Sequence, residues 1–197
     1  MWGEHPWRQF LARHRHQVLA CDFLVVESLW LKTLYVLFFI ELGTRRVHLA
    51  GCTAHPTGAW VAQQARNLAW RIQDGAVPCR YLIHDRDAKF TAAFDRVCVQ
   101  EGVEIVHTPP RCPQANAVAE RWIRSARQEC LDHLLILGER QLHRTLTTYC
   151  RFYNERRPHQ GLGQRCPIPL APAKGSGSVI RQDALGGLLH DYSREAA

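Results

Sequence analysis

The sequence predicts an α/β fold: a mixed five-stranded sheet, three antiparallel strands followed by parallel ones, flanked by helices. Three observations predict it. Residues 18–53 carry three consecutive apolar, strand-like runs joined by short links. Between residues 57 and 107, helix-spaced and strand-like segments alternate. Two amphipathic helical segments then follow a loop containing three prolines. A chain of 197 residues suits one domain of ordinary size plus tails.

Val18 to Val26 reads as the first strand, with one charge, Asp22, inside an apolar run. Thr33 to Glu41 is apolar throughout and therefore central. Gly43-Thr44 breaks it, and Arg45 to Thr53 forms the third strand. Thr57 is the expected N-cap of a helix over about 59–73, with Gly75 as its stop. Arg80 to His84 is reached after a helix, so it should run parallel to an earlier strand. Thr91 to Gln100 reads as a short helix and Val103 to His107 as the fifth strand. Pro109, Pro110 and Pro113 enforce a loop. A helix over about 116–135 then carries a ridge of Val118, Trp122, Ala126, Cys130 and Leu134. A last helix covers Glu139 to Asn154, and after Pro158 the chain reads as loop. The expected organisation is an N-terminal extension over 1–15, a core over 16–160 and a Pro/Gly-rich tail over 161–197.

Three carboxylates stand out. Asp22 lies in the first strand, Asp85 ends the apolar run Tyr81-Leu82-Ile83-His84, and Glu120 lies at the start of a helix. A lone buried acid is expensive. If strands 1 and 4 are neighbours, Asp22 and Asp85 lie side by side and Glu120 comes over from the helix. Like charges that close repel unless a cation intervenes. Magnesium takes such oxygen ligands, and two ions can clamp a phosphate during an in-line displacement. The formal net charge of +7 favours a polyanionic partner. Residues 107–165 hold ten Arg against five acids, and the guanidinium fork suits phosphate oxygens. The eight cysteines are scattered without a CxxC pair, which argues against a zinc finger. Residues 1–16 lack the apolar core of a signal peptide, and Leu34 to Ile40 is too short to span a bilayer. An intracellular, reducing setting without membrane is expected.

With these residues in place, the chain resembles the integrase catalytic core of DDE insertion-sequence transposases and retroviral integrases, which have an RNase H-like fold. The resemblance rests on the strand acid Asp22, on Ile83-His84-Asp85-Arg86-Asp87-Ala88-Lys89-Phe90, and on Pro113 with Asn116 and Glu120-Arg121. It continues through Arg127-Gln128-Glu129-Cys130-Leu131-Asp132 and ends at Tyr153-Asn154-Glu155-Arg156-Arg157-Pro158-His159. Thirty-four residues separate Asp85 from Glu120, close to the family's spacing. The family usually has Asn-Gly after the second acid, where this chain has Arg86-Asp87. That leaves Asp87 as a rival to Asp85. Asp85 is preferred because it directly ends the strand; Asp87 suits the turn.

The resemblance implies metal-dependent phosphoryl transfer on DNA by Asp22, Asp85 and Glu120, with two magnesium or manganese ions. One ion would activate water for nicking, or a 3′-hydroxyl for strand transfer, and the other would stabilise the leaving oxygen. Gln114, Asn116, Arg121, Arg124, Arg127 and Arg157 are the DNA-contact candidates. Singly, Arg124 and Arg127 read equally as a solvated helix face, Asn116 equally as a helix N-cap, and Arg157 first as closure of the domain's end. A homodimer is expected, because concerted strand transfer needs two active sites, as is a location at the nucleoid of a bacterial cytoplasm. Related transposases carry a helix-turn-helix region before the core, so a separate DNA-binding domain or partner protein is a further expectation. Two other readings stand beside this one: a truncated, non-catalytic DNA-binding remnant, and an RNase H-like nuclease.

Overall fold

The computed structural model of the protein describes residues 4–107, 117–169 and 177–194. Helix α1 (Glu4–His14) leads into β1 (Val18–Glu27), β2 (Thr33–Glu41) and β3 (Val47–Thr53). Helix α2 (Gly58–Gln73), β4 (Tyr81–His84), α3 (Ala92–Gln100) and β5 (Glu104–His107) follow. After them come α4 (Ala117–Glu129), α5 (Glu139–Glu155), β6 (Val179–Ala184) and β7 (Leu189–Arg194). The five-stranded sheet has the order β3-β2-β1-β4-β5. Its first three strands pair antiparallel, and β4 and β5 join in parallel.

Period-two alternation of apolar residues gives the sheet two faces. Leu19, Cys21, Phe23, Leu37 and Phe39 pack on one side with α2 and α3, through Val61, Leu68 and Phe94. Val18, Ala20, Leu24, Val36 and Phe38 face α4 and α5 on the other, through Trp122, Leu142 and Tyr149. Both faces of β2 are covered, which explains its unbroken apolar run. The Thr57 hydroxyl accepts from the Trp60 N–H at 3.3 Å, capping α2 as expected. Gly75, at φ +68°, ends that helix in the left-handed conformation glycine tolerates.

Two sequence expectations are corrected. The helix expected to reach residue 135 ends at Glu129, and Leu131–His133 form a 3-10 turn. The i+4 apolar repeat continues past the end, so periodicity alone carried the helix too far. There the His133 ring contacts the Gln128 carbonyl at 2.9 Å and Leu131 still points inward. The chain after Pro158 is not all loop: β6 and β7 form a hairpin anchored by buried Leu189 and by the Arg156–Asp191 ion pair at 3.1 Å. Among the described residues no helix is long and apolar enough to cross a membrane.

Candidate active site

Strand alternation places the acids. On β1, Val18, Ala20 and Leu24 face α4 and α5, and Asp22 takes the same parity. On β4, Tyr81 and Ile83 face that side too, and Asp85 follows them in parity. β1 and β4 pair as Val18↔Tyr81, Leu19↔Leu82 and Ala20↔Ile83, and extending this register sets Asp22 level with Asp85. Phe38, the cross-strand partner of Asp22, meets the fully buried Trp122 of α4, ring centroids 4.1 Å apart. Burying an aromatic of this size contributes on the order of 2–3 kcal/mol. That contact fixes the height of α4 over the sheet. Glu120, exposed in the first turn of α4, therefore emerges near the two aspartates.

The electrostatics report the same proximity. The Asp22 carboxyl is pushed up to about 6, by burial first and then by Asp85, Glu120 and Asp87, against the opposing Phe23 N–H bond. That N–H donates to the Asp22 carboxylate at 2.7 Å. Among the described residues, no group of three His, Cys, Asp or Glu side chains stands close enough to hold a metal ion. The three carboxylates thus share a field without forming a closed cage, as expected where mutual repulsion opposes closer approach. Their oxygen-only donor set fits a hard divalent cation and suits a thiophilic metal poorly.

Asp85 and Asp87 are distinguished by their partners. Asp85 accepts the Asp87 N–H at 3.1 Å, which tightens the turn. Asp87 accepts from the Lys89 N–H at 2.9 Å and pairs with Lys89 Nζ at 2.5 Å. Burial works to raise the Asp87 carboxyl, but the bonds and charge of Lys89 outweigh it and hold it low. Lys89 Nζ in turn lies over the Phe23 and Tyr35 rings, each at 5.3 Å. Asp87 is thereby committed to the turn. Buried His84 meets the Asp85 carbonyl through Nδ1 at 2.6 Å and the Asp95 carboxylate through Nε2 at 3.0 Å. It is a hydrogen-bonded core histidine that braces the backbone of Asp85. Asp95 of α3 was not singled out from sequence, since nothing local links it to His84.

The basic candidates separate. Arg124 is exposed on α4, and Arg127 donates to the Val25 carbonyl of β1 at 2.5 Å. Arg121 is exposed, close enough to Arg45 for their charges to interact. Arg157 forks onto Glu129, with Nη2 to Oε1 at 2.6 Å and Nε to Oε2 at 2.8 Å. The Tyr149 hydroxyl donates to the same carboxylate at 2.9 Å. Arg157 thus joins the ends of α4 and α5. Gln114 and Asn116 lie outside the described residues.

The sheet order, three antiparallel strands continued by two parallel ones with helices on both faces, is the RNase H-like fold of integrase catalytic cores. Residues 101–167 match the family model of the integrase core domain. The catalytic core domain of BIV integrase superposes with a TM-score of 0.56 at 18% identity, covering 77% of this chain and 91% of that one. The HTLV-2 integrase catalytic core in complex with magnesium gives 0.56 at 12% identity, covering 75% and 92%. A chain of the simian T-cell lymphotropic virus intasome gives 0.60 at 11% identity, covering 90% of this chain and 66% of that one. At these identities the likeness is one of fold. No curated protein sequence matches the chain.

Proposed function

We propose that the protein is a DNA transposase or integrase catalytic domain that performs metal-dependent strand cleavage and strand transfer. The observation that carries this reading is the level placement of Asp22 and Asp85 beneath Glu120, with Asp22 pushed up to about 6 by burial and by the other acids. Asp22 and Asp85 would hold one magnesium or manganese ion, and Glu120 would help hold a second. Bound there, such ions supply Lewis-acid activation of a water or 3′-hydroxyl and stabilisation of the leaving oxygen. The chain's own part is positional. His84 and the Asp87 N–H hold Asp85 at the strand end, and Trp122 sets the height of Glu120. Exposed Arg124 offers a guanidinium to backbone phosphates on the outer side of α4. In this reading the protein acts as a homodimer or higher oligomer at the nucleoid of a bacterial cytoplasm, with a DNA-binding domain or partner supplying end recognition. One of the matched solved cores is a dimeric form and another a trimeric form.

The test is a nicking and strand-transfer assay with DNA carrying the element's flanking ends. Cleavage should require magnesium or manganese and be lost in Asp22→Asn, Asp85→Asn and Glu120→Gln. Metal-independent cleavage, or cleavage surviving all three substitutions, would overturn the reading. DNA binding without cleavage by the unsubstituted protein would favour the non-catalytic remnant.

A further inference from the structure

A second charged cluster lies beside α4, and it is positive. Residues that are distant in sequence line one open groove of about 500 Å³: Arg15 and His16 before β1, Gly43 and Arg45 in the β2–β3 turn, Val118 of α4, and Arg165 after α5. Arg121 is near enough to act on Arg45. Among the described residues, none of these four arginines is in an ion pair with a carboxylate. Arg45 is half-buried and held below its ordinary range, by burial first and then by Arg121 and Arg15. Cations gathered without counter-charge repel, as the acids do, and an anion relieves them. The backbone is built for this approach. A Cβ at Gly43 would lie 2.6 Å from the His16 ring, so only glycine lets the turn close on Arg15 and His16. Arg45 itself sits at φ +67°, a conformation that glycine adopts more readily than arginine.

We infer that this groove binds the phosphate backbone of double-stranded DNA flanking the reacting bond. Ala119, Trp122 and Ala126 face the sheet, and Glu120 and Arg121 stand about 100° apart on the helix. They therefore leave α4 on opposite flanks, one toward Asp22 and Asp85, the other toward Arg45. A helix with its side chains is about 10–12 Å across. A duplex crossing the first turn of α4 reaches the acids and the groove together. The assignment rests on the proposed DNA chemistry for its substrate, but its test does not depend on cleavage.

The experiment measures binding of a fluorescent duplex to the full chain in metal-free buffer, across a salt series. Arg45→Gly suits the backbone it replaces, so the variant folds, and Arg165→Gln is exposed. Together they should weaken binding at least tenfold. They should also make the log–log salt dependence shallower by about 0.9 for each phosphate no longer neutralised. Arg140→Gln with Arg144→Gln removes the same charge from the exposed face of α5 and should leave both readouts nearly unchanged. Unaltered affinity in the groove variant, or equal weakening in the α5 variant, would overturn the assignment. Weakened binding in the groove variant of a chain that never cleaves would sustain the groove and sink the catalytic reading. Normal binding by that variant of a chain that cleaves would do the reverse.

Discussion

Asp22 is a carboxylate that the fold keeps against its own electrostatics, and this has a measurable consequence. Its folded value is about 6, against an ordinary value of 3.8 for the unfolded chain. A raised folded value means that the native state holds the proton more tightly than the unfolded state. Without metal, Asp22 therefore costs nothing below about pH 4, costs progressively more as pH rises, and reaches its full penalty above pH 6. A shift of this size corresponds to about 3 kcal/mol at most. Asp22→Asn should be more stable than the unsubstituted protein in metal-free buffer at pH 7.5, and the difference should vanish near pH 4. Urea titrations at the two values check it, and a constant difference across pH would contradict it. The neighbouring turn makes a second prediction. Asp87 is bound to Lys89, whereas Asp85 is the acid whose charge bears most on Asp22. Asp85→Asn should abolish cleavage, while Asp87→Asn should leave activity within about tenfold, a difference of less than about 1.4 kcal/mol in barrier. Equal losses in single-turnover assays would reinstate Asp87 as the second acid.

The elements hold this site through polar clasps between buried faces. Asn154 of α5 accepts the Val47 N–H and donates to the Val47 carbonyl of β3, both at 2.8 Å. Asn154→Ala would leave two buried backbone groups unpaired, each costing about 1–3 kcal/mol. The melting temperature should fall by several degrees with duplex affinity unchanged, and an unshifted melt would contradict the clasp. A similar chain joins β2, β3 and α2. Arg71 donates to His48 Nδ1 at 2.7 Å, so the proton lies on Nε2, which donates to Glu41 at 2.7 Å. The sheet and its helices were legible in sequence because period-two and period-3.6 patterns reflect which faces are buried. β2 spans the very residues its apolar run suggested. Asp22 and Asp85 stood out in sequence because a charge in, or at the end of, an apolar strand calls for a counter-charge. Other features were not. The end of α4 depends on backbone geometry that the apolar repeat outlasts. The pairing of Arg157 with Glu129 and the clustering of Arg15, Arg45 and Arg165 are tertiary, joining residues far apart in the chain. A lone arginine in sequence looks the same whether it clasps a carboxylate or waits for a phosphate.

At the scale of the molecule, the three acids come from three separate elements: β1, the end of β4 and the start of α4. Their mutual repulsion weighs against the folded state, and a cation between them would offset it. Metal binding should therefore register as global stability, independently of any DNA. A ligand that binds only the native state stabilises it by RT ln(1 + [L]/Kd), about 2.7 kcal/mol at a hundredfold excess over Kd. For a chain of this size, 1 kcal/mol moves the melting temperature by about 2–4 °C. Saturating magnesium should thus raise the melting temperature of the unsubstituted protein by several degrees. Asp22→Asn starts higher without metal, because one repelling charge is gone, and should gain little. The order of the two melts should then narrow or invert on adding magnesium at matched ionic strength and pH 7.5. Parallel shifts in both proteins would mean that magnesium acts only as a screening salt, and the two-metal reading of these acids would fail.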